Sequence, residues 1–217
     1  MSKEDIGPID LPRVVKFKPR KVKKQEYVPK KLKIGRTYAD FLAYKEEHDI
    51  LSWVEMDTVI GREGGKVIVT FDFTFCNFMF GLLVDDKSSN SVTAAITKLK
   101  AQLKEKELAF GDIFPVILTD NGGEFSNVFA VENALLGEQE THLFFCDPYE
   151  SSQKPYVEKN HTLVRDIIPQ GVSFDSFTQD TVNLTFSHVN GVKRKGLNGK
   201  APYECSPTSI RNKLPRF

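Results

Sequence analysis

Three acidic side chains stand where a loose carboxylate is awkward for folding. Asp57 lies inside the mostly apolar, strand-like run from Trp53 to Ile60. Asp120 sits where the buried run Phe114 to Leu118 gives way to Asn121-Gly122-Gly123. Glu158 opens a segment whose Val157, Leu163, Val164, Ile167 and Ile168 lie on the other side. Buried carboxylates brought together repel one another, and divalent cations compensate them. An oxygen-only ligand set suits Mg²⁺ or Mn²⁺ rather than zinc. Each acid has a plainer explanation when taken alone. A single strand aspartate is more often solvent-facing or hydrogen-bonded than a ligand. Asp120 before two glycines fits an Asx-turn, and Glu158 in the first turn of a helix favours the helix dipole. The set carries more than its members: 62 residues separate Asp57 from Asp120 and 37 separate Asp120 from Glu158, on strand, strand and helix.

The elements that must position them follow from periodicity. Residues 37–49 form a short helix capped by Thr37, with Asp40 three residues on and Tyr38, Phe41 and Leu42 on one face. Trp53 to Ile60 is a strand. After Gly64-Gly65, Val67, Val69, Phe71, Phe73 and Phe75 alternate with Ile68, Thr70, Asp72 and Thr74, the period of a strand with one packed and one mixed face. Met79 to Val84 is a continuous apolar strand, and the three runs form an antiparallel meander. A helix follows, capped near Ser89 to Ser91, with Val92, Ala95, Ile96, Leu99 and Leu103 at helical spacing. Then come a strand at 114–118, a helix at 124–136, a strand at 142–146, a helix at 156–168 and a last helix at 174–189. Strands alternating with helices after a meander give an α/β sheet of mixed direction, in which ligands gather beyond the strand ends. At 100° per residue, Glu158, His161, Thr162 and Arg165 share the polar face of their helix.

Composition narrows the class. A chain of 217 residues suits one domain with an appendage. No stretch approaches the ~20 apolar residues that span a bilayer. The charged start, Met1-Ser2-Lys3-Glu4-Asp5, lacks the apolar segment of a signal peptide. Cys76, Cys146 and Cys205 are too scattered for a disulfide framework or a zinc site, which favours a reducing, cytoplasmic setting without membrane partners. Residues 1–36 hold 12 Lys and Arg against four acids, a net of +8, while residues 37–217 carry −7. The same arm holds Pro8, Pro12, Pro19 and Pro29 and no apolar period. It is expected to be extended or disordered until it meets a polyanion.

The local words around the three acids resemble the DDE transposase/integrase superfamily, which has an RNase H-like fold, and within it the insertion-sequence transposases of the IS-thirty type. Trp53-Val54-Glu55-Met56-Asp57-Thr58-Val59-Ile60-Gly61 is similar to that family's W-E-x-D-T-V-I-G. Thr119-Asp120-Asn121-Gly122-Gly123-Glu124-Phe125 resembles T-D-N-G-x-E-F. Asp147-Pro148-Tyr149, Gln153-Lys154 and Glu158-Lys159-Asn160-His161 resemble D-P-Y, Q-[RK] and E-x-N, and Gly199-Lys200-Ala201-Pro202-Tyr203-Glu204 resembles G-x-T-P-Y-E. The resemblance runs from about residue 51 to 205. It divides the chain into a basic arm (1–36), a short linker helix (37–50), a catalytic core (51–205) and a tail (206–217). Pro155-Tyr156-Val157 departs from the Gly-Thr-Asn common beside the glutamate, and Gln170 replaces a common lysine. The about 50 residues ahead of Asp57 are expected to leave no room for the helix-turn-helix reader of many relatives.

The resemblance implies an α/β, RNase H-like mixed five-stranded sheet with helices on both faces. It implies that Asp57, Asp120 and Glu158 are a catalytic triad binding two Mg²⁺ or Mn²⁺ ions for DNA cleavage and strand transfer during transposition of an insertion sequence. Element ends and target DNA would be the partners of a homo-oligomer in the bacterial cytoplasm, associated with the nucleoid when bound. Lys154, Lys159, His161 and Arg165, near Glu158, and Lys21, Lys23 and Lys24, on the arm, are the expected DNA contacts. Two rivals stand beside this reading: a truncated, non-catalytic DNA-binding remnant, and a metal nuclease of the same fold.

Overall fold

The structure, a computed structural model, describes residues 27–134 and 137–207. Its elements in chain order are α1 (Tyr38–Glu47), β1 (Val54–Ile60), β2 (Val67–Phe73), β3 (Phe78–Val84), α2 (Ser89–Glu105), α3 (Phe110–Ile113), β4 (Val116–Thr119), α4 (Val128–Glu132), β5 (His142–Phe145), α5 (Pro155–Ile167), α6 (Gln179–Gly191) and α7 (Pro202–Cys205). The sheet order is β3-β2-β1-β4-β5. β1, β2 and β3 pair antiparallel, and β4 and β5 join β1 in parallel. This is the RNase H-like arrangement, a mixed sheet with helices on both faces.

Period-two alternation separates the two layers. Val54 and Met56 of β1, with Val67, Val69, Phe71 and Phe73 of β2, pack against Val92, Ile96, Leu99 and Leu103 of α2. The alternate residues, Val59 and Ile68, meet Val157 and Val164 of α5 and Val182, Phe186 and Val189 of α6. Beside that cluster Phe41 of α1 covers Val116, Leu118 and Phe144. Each such buried side chain contributes about 1.5–3 kcal/mol of transfer free energy. On the α5 face the apolar rows are broken by Glu55, Asp57, Thr70, Asp72 and Asp120, a polar band between two apolar clusters.

Two helices differ from their sequence expectation. The helix over 124–136 is instead a 3₁₀ turn at Gly123–Phe125 followed by the short α4. Asn127 starts it afresh by accepting a hydrogen bond from the Ala130 N–H at 3.3 Å. The helix over 174–189 begins only at Gln179, because Thr178 and Thr181 form a capping box there. Upstream, Phe174 is a core residue and Asp175 is held by the Lys66 N–H. The predicted capping box of α1, Thr37 with Asp40, is present.

The arm expected over 1–36 is not extended throughout. Residues 1–26, with Lys21, Lys23 and Lys24, lie outside the described residues. From Tyr27 onward the chain is docked. Tyr27 bridges to Gly122, and the Val28 N–H donates to Asn121 O at 3.1 Å. Lys33 Nζ donates to Asn121 Oδ1 at 2.8 Å. Arg36 grips Glu132 with two bonds of 2.9 and 2.6 Å, and its carbonyl accepts the Phe145 N–H at 2.8 Å on the outer side of β5. The physical reason is a sheet edge and a buried carboxylate that both need partners. The opposite edge, β3, is covered by side chains of α6. Asn190 pairs both backbone groups of Met79, and Gln179 pairs the Leu83 N–H and the Gly81 carbonyl.

These contacts divide two truncations that sequence alone treats as one. A chain starting at Tyr27 should melt within about 2 °C of the full chain. A chain starting at Thr37 loses buried Val28 and leaves Glu132 without its guanidinium. A loss on the order of 2–3 kcal/mol corresponds to roughly 5–10 °C for a chain of this size. Differential scanning calorimetry of both truncations tests this, and equal melting temperatures would contradict it.

Candidate active site

Sheet register brings two of the three acids together. β1 pairs with β4 in parallel from Val54 opposite Ile117 to Met56 opposite Thr119. β4 stops at Thr119 while β1 continues, so Asp57 and Asp120 occupy the next register position just beyond the end of β4. The Thr119 hydroxyl donates to Met56 O at 3.0 Å and locks that register. Asp120 then turns the chain: its Oδ1 accepts the Gly122 N–H at 3.0 Å, the Asx-turn expected of its position. A Cβ at Gly122 would displace the Glu124 carboxylate, which packs directly over this glycine. Glu124 itself accepts from the Thr58 hydroxyl at 2.9 Å and pairs with Lys87 at 3.1 Å.

The third acid rides on α5, and the polar band of the sheet fixes that helix. Lys154, the residue before it, supplies no side-chain cap. Glu55 does so from β1: its Oε2 accepts the Tyr156 and Val157 N–H groups at 3.0 and 2.8 Å. Glu55 therefore ties the start of α5 to the strand that carries Asp57, two residues on. One turn later Asn160 donates to Asp72, which lies opposite Glu55 on β2. His161 meets the Thr70 hydroxyl through Nε2 at 2.9 Å, and that hydroxyl reaches the Asp57 carbonyl at 3.2 Å. Ahead of the helix, Gln153 and Asp147 close a ring of two bonds, 2.7 and 2.9 Å, that sets where Lys154 begins.

Asp57, Asp120, Lys154 and Glu158 line one pocket of about 220 Å³, with Tyr27, Gly122, Cys146 and Tyr149 around it. Tyr27 and Tyr149 meet at its rim through their hydroxyls at 2.9 Å. Tyr149 holds φ +64°, a conformation rare for a bulky side chain, and is 90% exposed. Inside the pocket Lys154 Nζ lies 2.9 Å from Asp57 Oδ2 and 3.4 Å from Met56 O. The Thr58 N–H takes Asp57 Oδ1 at 2.7 Å. Burial, the largest single influence, pushes the Asp57 carboxyl up, but Lys154, His161 and the Thr58 N–H together hold it below the usual carboxylate range. Burial pushes Asp120 and Glu158 up, helped by the charge of Asp57 and only partly opposed by Lys154. Burial would lower Lys154, yet Asp57 and Asp120 keep it above its ordinary value. Burial lifts the Cys146 thiol to about 12, which leaves it a neutral wall residue.

A carboxylate set facing one pocket fits an oxygen-coordinated divalent cation in its donor chemistry. Among the described residues, no three His, Cys, Asp or Glu side chains stand grouped to hold a metal ion. The expected DNA contacts are sorted by the fold. Lys159 is exposed. Lys154 is 3% exposed and bound to Asp57, which places it inside the pocket. Burial lowers His161 to about 4, so it is neutral at pH 7, and its Nε2 meets the Thr70 hydroxyl. Arg165 donates to the Ile60 carbonyl at 2.7 Å and is half-buried against β1. In the sequence Glu55 stands out only as part of the motif around Asp57, with no sign that it caps α5, since the contact joins residues about 100 positions apart.

Two measurements follow from this band. Glu55→Ala strands two helix N–H groups at about 1–3 kcal/mol each, whereas Glu55→Gln keeps an acceptor and should lose less than half as much in a urea melt. Burial lifts Asp72 to about 8, opposed by the Asn160 bond and aided by Glu55, which burial lifts to about 7. Above pH 6.5 the folded chain keeps protons that the unfolded chain has released, so stability falls as pH rises toward 8. The depressed His161 works the other way, but only below its ordinary pKa of 6.5. The melting temperature should drop between pH 6.5 and 8, and Asp72→Asn should flatten that slope. An unchanged slope in the variant would refute the assignment.

Comparison with known proteins places this arrangement. No family model matches the chain. It is 27% identical over 148 residues to a protein designated integrase ORF3 of Spiroplasma virus SpV1-R8A2 B, covering 68% of this chain and 43% of that protein. It is 26% identical over 151 residues to the transposase for insertion sequence element IS4351 of Bacteroides fragilis, covering 70% of this chain and 43% of that transposase. The chain thus spans less than half the length of these two relatives. Among solved structures, the catalytic core domain of BIV integrase superposes with a TM-score of 0.48 at 22% identity, covering 75% of this chain and 98% of that domain. The relatives it matches are integrases and insertion-sequence transposases, which supports the resemblance of the chain to the DDE transposase/integrase superfamily.

Proposed function

We propose that the chain is the catalytic core of a transposase that cuts DNA and joins a DNA 3′ end to a target during transposition of an insertion sequence. The observation that carries this reading is the meeting of Asp57, Asp120 and Glu158 on one pocket beyond the end of the parallel strands. Asp57, Asp120 and Glu158 would hold Mg²⁺ or Mn²⁺. When bound, two such ions activate a water or a 3′-hydroxyl and stabilise the leaving oxygen of an in-line displacement.

The remaining work belongs to the chain itself. Register sets the distance between the two aspartates, and the Glu55 cap with the Asn160 and His161 contacts sets where α5 presents Glu158. The Thr58–Glu124 bond and the tight turn at Gly122 hold the loop of Asp120. Tyr27 and Tyr149 frame the entrance, and the exposed Lys159 lies next to Glu158 on the helix for contact with a phosphate. No helix among the described residues is long and apolar enough to cross a membrane.

In a nicking and strand-transfer assay on oligonucleotide duplexes, activity should need Mg²⁺ or Mn²⁺ and vanish with EDTA. Asp57→Asn, Asp120→Asn and Glu158→Gln should each lower it by 10²-fold or more while leaving the fold intact by circular dichroism. Metal-independent activity, or full activity in any one variant, would end this reading. Retained DNA binding by an inactive natural chain would favour the non-catalytic remnant.

Residues 1–26 hold eight of the 12 Lys and Arg ahead of residue 37. If about half of those eight neutralise phosphates, log K should fall against log salt with a slope near −4, from roughly 0.9 per phosphate. Fluorescence anisotropy at several salt concentrations should give a flatter line for the chain starting at Tyr27. Equal slopes would show that these bases stay in water.

A further inference from the structure

The three pocket carboxylates already face a cation that belongs to the protein. Lys154 Nζ sits 2.9 Å from Asp57 Oδ2, the Lys154 side chain is 3% exposed, and the other Asp57 oxygen is taken by the Thr58 N–H at 2.7 Å. Both oxygens of Asp57 are therefore engaged. A divalent ion bound at Oδ2 would lie on the order of 4 Å from an ammonium at the same oxygen, from ordinary Mg–O and N–O distances. Cations that close repel strongly where water is scarce.

The backbone at Lys154 is pinned on both sides. The Asp147–Gln153 ring precedes it, and Pro155 with the Glu55-capped N–H groups of Tyr156 and Val157 follows it. Freedom to yield lies in the four-carbon side chain alone. Lys154 lines the same pocket as Asp120 and Glu158, so a swing of the ammonium away from Asp57 can keep it among carboxylates.

We propose that Lys154 is a built-in counter-ion of the metal-free pocket, and that a divalent ion gains Asp57 only as the Lys154 ammonium leaves it. This rests on the metal-binding reading of the three carboxylates given above. In the absence of metal the lysine prevents the acids from pushing one another apart. Its displacement sets a threshold of metal concentration for loading the site. The mutual repulsion of ion and ammonium also moves a positive charge to the pocket rim when the metal arrives.

Mn²⁺ binding to the full chain, followed by calorimetry and by the loss of the free-ion electron paramagnetic resonance signal, tests the exchange without any DNA. Lys154→Met should bind Mn²⁺ at least 10-fold more tightly than the natural chain, and Lys154→Arg, which keeps the charge, should not. If Lys154→Met unfolds, a second measurement uses the natural protein. Lys154 should resist acetylation by acetic anhydride without metal and become labelled at saturating Mn²⁺, as read by peptide mass spectrometry. Equal or weaker Mn²⁺ binding by Lys154→Met, or a Lys154 still protected with Mn²⁺ bound, would overturn the exchange and leave the metal site standing. Absence of Mn²⁺ binding in both the natural chain and Lys154→Met would overturn the exchange and the metal-binding reading together.

Discussion

Three carboxylates cannot share a pocket of this size unless something positive stands among them, and much of the molecule is arranged around that requirement. Asp57, Asp120 and Glu158 are held on separate elements, so the sheet and α5 bear the repulsion that a single loop could not. Lys154 supplies the compensating charge from the residue before α5. The polar band on the sheet continues the same theme, with Glu55 opposite Asp72 and Thr70 opposite Asp57. An apolar face there would pack more tightly, but it would offer α5 no hydrogen bonds by which to be aimed.

Aiming is achieved by backbone and side-chain polarity rather than by packing alone. Val157 and Val164 bury α5 against the sheet, yet apolar contacts tolerate sliding. The Glu55 carboxylate does not, because it takes two specific N–H groups at the helix start. Asn160 and His161 repeat the device one turn further along. A helix pinned at three polar points presents Glu158 at a fixed height over the strand ends. The structural cost is a set of buried acids whose protonation is shifted upward.

How much of this was legible in the sequence depends on the range of the interaction. The strands and α2 announce themselves because alternation and the i, i+3, i+4 pattern are local. The Thr37–Asp40 box and the Asp120 turn are equally local. The break at Asn127 was hidden, since 124–136 reads as one helix and only the Asn side chain shows otherwise. Lys154 was named as an expected DNA contact because it lies near Glu158 in sequence. In the structure it pairs with Asp57, 97 residues away in sequence, and nothing in its local spacing reports that. Arg36 and Lys33 were read as part of a uniform basic arm for the same reason: composition counts charges but does not reveal a distant Glu132 or Asn121.

The two outer strands of the sheet differ from ordinary edges. On β3 the outward-facing backbone of Met79, Gly81 and Leu83 is already satisfied by Asn190 and Gln179. On β5 the Phe145 N–H is satisfied by Arg36. Among the described residues, these bonds leave a neighbouring copy or a stray peptide fewer unpaired backbone groups to extend, most of all along β3. If copies of this chain assemble, helix faces, loops or a shared ligand can join them. Such contacts can form and dissolve without unpicking the sheet that carries Asp57.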